Sequence, residues 1–80
     1  MRGVADLLNL RWRSTQLLIA HEKGDQAAVR SLHAAMRIEG LSPGDVADET
    51  ALLLHQFGHR PVVVLREESN RVWRKLQALT

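Results

Sequence analysis

Three glycines punctuate this chain and decide what it can fold into. Gly24, Gly40 and Gly58 each close a segment in which apolar residues recur three and four positions apart. That period is one face of an α-helix, and a glycine just past its end is the usual left-handed stop. Between the stops lies no linker or low-complexity tract. With connections this short, successive helices must lie antiparallel. The expected fold is all-α: a small four-helix unit made of two antiparallel helical hairpins in a single domain over residues 1–80. Hairpin one spans about 4–39 and hairpin two about 43–79.

The first predicted helix runs from Val4 to Glu22 on a stripe of Val4, Leu7, Leu8, Trp12, Thr15, Leu18 and Ile19. Asp25 is placed to cap a second helix, Gln26 to Glu39, which presents Val29, Leu32, His33 and Met36. Leu41, just beyond Gly40, is positioned to fold back on Met36. Ser42-Pro43 opens the third helix with a capping hydroxyl and a proline at the first helical position. Asp45, Asp48 and Glu49 suit its positive end. Its stripe is Val46, Thr50, Leu53, Leu54 and Phe57. The fourth helix begins at Pro61 and carries Val62, Leu65, Ser69, Val72, Leu76 and Leu79. The β-branched stretch PVVVL could instead form a strand, but no second strand is available in the chain to pair with it.

Gly24 and Gly58 also belong to an echo. The runs LLIAHEKG and LLLHQFG align Leu18 with Leu52, His21 with His55, Gly24 with Gly58, Val29 with Val63 and Arg37 with Arg71, all 34 residues apart. This period, and the segment EKGDQAAV, resemble the tetratricopeptide repeat family and the turn between its helices. The resemblance implies hairpin geometry. The aromatic and small residues of that family's pattern and its boundary proline are absent, so no peptide-binding residues are carried over. The stretch LSPGDVADETAL similarly resembles the first helix and turn of a helix-turn-helix, with Val46 and Ala47 at its small apolar positions. Beyond that the pattern fails. Leu53 and Leu54 stand where base-facing polar residues belong, and Gly58 and Pro61 interrupt the recognition helix.

At 80 residues the core is marginal. A chain of this size buries only roughly 60% of its unfolded surface, and association is a common remedy. There is no cysteine, which excludes disulfides and thiolate metal sites and fits a reducing cytoplasm. No apolar run approaches the roughly 20 residues of a membrane span, and VADLLNL, short and carrying Asp6, is not a signal peptide. The serines lack a nucleophile context, and a unit this small leaves little room for a pocket. No catalytic residue, cofactor or small-molecule substrate is therefore expected. His55 and His59 have the i, i+4 spacing of a shared metal, but Gly58 ends the helix between them, so no metal site is expected.

What the helical stripes leave over bears on function. Leu10 and Leu17 fall off the stripe of the first helix and lie seven apart, on one line. Leu52 and Val64 are off-stripe as well. Arg11 sits inside the stripe and must snorkel out to solvent, pair with an acid, with Asp48, Glu49 and Glu67 in reach, or face a partner. Leu10, Arg11, Leu17, Leu52 and Val64 thus make up an expected protein interface. The expected function is a non-enzymatic protein–protein interaction module, an adaptor or regulatory subunit that self-associates or joins a larger assembly. The competing partner is DNA or RNA. The formal charge is +2, and all but Lys23 and Lys75 of the eleven basic residues are arginine, the side chain suited to phosphate. Arg66, Arg71, Trp73, Arg74 and Lys75 on the last helix would form that surface, joined by Arg11 and Arg13.

Overall fold

Helix-forming periodicity and stop signals act where the sequence places them. The structure, a computed structural model, describes residues 3–58 and 62–79. It contains four α-helices: α1 Val4–Lys23, α2 Gln26–Ile38, α3 Pro43–Phe57 and α4 Val62–Ala78. No strand occurs among the described residues, and Val62–Leu65 is helical. Pro61, the expected first residue of α4, lies outside the described residues.

The caps show why the boundaries fall there. Asp25 Oδ1 accepts from the Ala28 amide at 3.0 Å, and Ser42 Oγ accepts from the Asp45 amide at 3.1 Å. Each satisfies one of the orphan donors of a helix start. Past α2, the Leu41 amide reaches back to the Met36 carbonyl (2.9 Å) and the Gly40 amide to that of Arg37 (3.1 Å). That is the Schellman pair of bonds, with Gly40 at φ +77°. Leu41 then packs with Met36 in the core.

α1 is the hub. Each of the other helices packs on it, α4 most extensively, and they contact one another far less. Trp12 meets Trp73, and Leu18 meets Leu65, so α4 runs antiparallel to α1. Asn9 and Arg13 bond Glu39 at the far end of α2, which is antiparallel as well. One core cluster joins Leu10, Leu17 and Ala20 of α1 to Val29 and Met36 of α2 and Val46 of α3. A second joins Leu18 to Leu53 and Leu65, with Ile19 and Phe57 against it.

The expected seam is corrected here. Leu10 and Leu17 are only 6% and 5% exposed. A helix enclosed by three neighbours is buried most of the way round, so its second apolar line is core. Val4 and Leu7, from the expected core stripe, are instead 65% and 52% exposed. They lie in the first turns of α1.

The echo does not describe two equivalent hairpins. Leu18 and Val29 are buried, whereas their counterparts Leu52 and Val63 are exposed. Gly24 ends α1 in the left-handed region (φ 67°, ψ 23°), while Gly58 ends α3 at φ 61°, ψ −152°.

Candidate protein-interaction surface

Arg11 stands at the junction of three helices. Its Nε donates to Glu68 Oε1 at 3.0 Å, Nη1 to Glu49 Oε1 at 3.1 Å and Nη2 to Gln56 Oε1 at 2.7 Å. Its side chain is 18% exposed. Of the acids in reach by sequence, Glu49 is a partner, and Glu68 takes the place of Glu67. One residue along α4 turns the side chain about 100°, which sends Glu67 to solvent. Glu68 also accepts from Arg71 through both of its oxygens. The Arg71 hydrogen bond, helped by Arg11 and opposed by burial, holds the Glu68 carboxyl below its ordinary range. Arg11 therefore satisfies itself inside the fold.

Arg13 is engaged in the same way. It donates to Glu39 through Nη2 at 2.6 Å and through Nε at 3.0 Å, and to Gln16 through Nη1 at 3.0 Å. Asn9 adds a bond to Glu39 at 3.0 Å. The Arg13 hydrogen bond, opposed by burial, lowers the Glu39 carboxyl. The Arg13 guanidinium also lies 4.4 Å from the centre of the Trp12 ring. Neither Arg11 nor Arg13 is left over for a phosphate.

The basic residues of α4 are all exposed, with Arg71, Arg74 and Lys75 within about 100° of one another round the helix and Arg66 on the flank. Arg71 is bound to Glu68. At 100° per residue Trp73 and Lys75 point about 160° apart, and Arg74 lies between them on the outer side. Arg66, Arg74 and Lys75 have no ion-pair partner among the described residues. Trp73 is stacked on Trp12, ring centroids 4.4 Å apart at 29°.

Large apolar residues are exposed on every helix, Ile38, Leu54 and Val63 among them, and four of them lie toward the end where α1 starts and α4 finishes. Leu52 is exposed and Val64 half-buried, on separate helices. The antiparallel pairing of α1 and α4 brings the start of one to the end of the other. Val4 and Leu7 there are joined by Trp73 (39% exposed) and Leu79 (54%), with half-buried Leu8 and Leu76 between them. Sequence periodicity missed Val4, Leu7 and Leu79 because each keeps core spacing. What exposes them is that the helix pair continues past the point where α2 ends against Asn9 and Arg13.

Two grooves flank α2. One, about 250 Å³, lies between α2 and α3 over an apolar floor of Leu17, Met36, Leu41 and Val46. The other, about 410 Å³, lies between α1, α2 and α4, and mixes Lys23, Asp25, Gln16 and Ser31 with Ile19 and Leu32. The unit therefore has more concave surface than its size suggests. No group of three or more His, Asp or Glu converges as a metal site among the described residues. His55 is exposed, and His59 lies outside the described residues. No described helix is long and apolar enough to cross a membrane.

The molecule is thus an all-α protein built around a central helix, with an apolar two-helix end and a groove beside α2. No protein-family model, curated protein or solved structure matches the chain.

Proposed function

We propose that this chain is a non-enzymatic, self-associating protein-interaction module, and that the paired ends of α1 and α4 are its contact surface. The observation that carries this is the exposure of Val4 and Leu7 at the start of α1 and of Trp73 and Leu79 toward the end of the antiparallel α4, on a core of marginal size. A large exposed aromatic beside aliphatic side chains has the composition of an interface centre. The antiparallel helix pair also suits a two-fold contact, in which a second copy supplies the same four residues. The lack of cysteine supports a reducing, cytoplasmic setting.

Light scattering on the purified chain tests this. The wild type should exceed the monomer mass, and Leu7→Glu with Leu79→Glu should return it to the monomer with unchanged helical circular dichroism. A monomeric wild type at high concentration would remove self-association.

A nucleic-acid regulator is the second reading. What favours it is the set Arg66, Arg74 and Lys75, which has no ion-pair partner among the described residues. It draws no support from Arg11, Arg13 or Arg71, each held by a carboxylate.

A further inference from the structure

The groove between α2 and α3 has a marked chemical asymmetry. α2 contains no Asp or Glu over Gln26–Ile38. His33 and Arg37 of α2 line the groove, and Arg30 precedes His33 by about one turn on the same line, at i, i+3 and i+7. All three are exposed and none has an ion-pair partner among the described residues. The opposite wall is small and uncharged: Pro43, Ala47 and Thr50 of α3, with Leu54 continuing that line a turn further on. The acids of α3 turn elsewhere. At 100° per residue, Asp48 and Glu49 lie well round the helix from Ala47, and Glu49 is already bound to Arg11.

The groove exists because α2 and α3 each lie against α1 while their backbones scarcely approach one another. Its floor is made by buried residues, Leu17, Met36 and Val46, that also form the core. An enclosed small-molecule site runs to roughly 300–1,000 Å³ and covers most of its ligand. Here the cleft is smaller and open along one side. That shape fits apolar side chains presented by a helix laid over the mouth, which closes the site with its own body.

We infer that the α2–α3 groove docks an acidic amphipathic helix of a partner protein. Its apolar stripe seats over Leu17, Met36 and Val46. Its Asp or Glu residues, on the flank above α2, meet the guanidinium groups of Arg30 and Arg37. This deepens the interaction-module reading by naming a partner class, but it uses a surface apart from the α1–α4 end.

The test is fluorescence anisotropy with two labelled peptides of about 18 residues, five helical turns. One carries a leucine stripe flanked by glutamates, and the other has every glutamate replaced by lysine. The wild type should bind the acidic peptide at least about tenfold more tightly. Arg30→Glu with Arg37→Glu should reverse the preference, and these exposed sites leave the core untouched. Ala47→Trp should fill the groove and weaken both peptides. The Leu7→Glu, Leu79→Glu protein should bind the acidic peptide as the wild type does, which separates this inference from the oligomer. Equal affinity for the two peptides, or an Arg30→Glu, Arg37→Glu protein that binds like the wild type, overturns it. So do amide shifts of groove residues that move on diluting the protein alone, because they would make a second copy the occupant.

Discussion

Arg11 donates to Glu68 across 57 positions of sequence, and this bond ties the first helix to the last. Glu49 and Gln56 complete the fork from the third. The clasp converts a charge on the central helix into a register device. Both partners are largely shielded from solvent, so removing one strands the other. Arg11→Ala should cost about 1–3 kcal/mol in urea unfolding. Arg11→Met together with Glu68→Met should recover most of that loss, since replacing both partners by apolar groups is far milder than orphaning one.

The lowered carboxyls of Glu39 and Glu68 set the acid behaviour. A depressed folded-state value means that the unfolded chain binds the proton more readily. Their contribution is therefore fully present above the ordinary value of 4.5 and lost as pH falls through the lower folded one. Melting temperature should decline as pH drops below about 4.5. In Glu39→Gln and Glu68→Gln proteins that decline should be shallower than in the wild type. Parallel curves would mean that neither ion pair couples to folding.

Ser14 is fully buried on α1, and its hydroxyl has no hydrogen-bond partner among the described residues. An unsatisfied buried hydroxyl carries a desolvation cost with nothing returned. Ser14→Ala should leave stability unchanged or raise it by up to about 1 kcal/mol. Leu53→Ala, at an equally buried site, should cost about 2–5 kcal/mol. Chemical denaturation of the two variants side by side checks both signs.

The echoed glycines should respond unequally to the same change. Gly24 occupies a left-handed cap that alanine can enter at about 1–2 kcal/mol. Gly58 lies in a region that is essentially glycine's alone, where a side chain costs of order 1–3 kcal/mol. Gly58→Ala should therefore lower the melting temperature more than Gly24→Ala.

Helix number, order and caps were legible in the sequence because they depend on local signals: Asp25, Ser42-Pro43, Gly24, Gly40 and Gly58. The packing of α1 was not. Leu10 and Leu17 looked surplus because a single stripe was assumed, and periodicity alone cannot show that three helices surround one. The same limit hid the exposure of Val4, Leu7 and Leu79, which keep core spacing yet run past their neighbours. Pairing of Arg11 with Glu49 followed from its place in a stripe. The choice of Glu68 over Glu67 needed the rotation of α4.

The most direct test of the proposed contact is tryptophan emission across a dilution series. The chain has two tryptophans. Trp12 and Trp73 are stacked together, and Trp73 is in the exposed group. If the α1–α4 end joins two copies, emission should move to shorter wavelength as concentration rises, in step with the molecular mass. An emission spectrum that stays fixed while the mass changes, or a mass that never changes, would contradict the account.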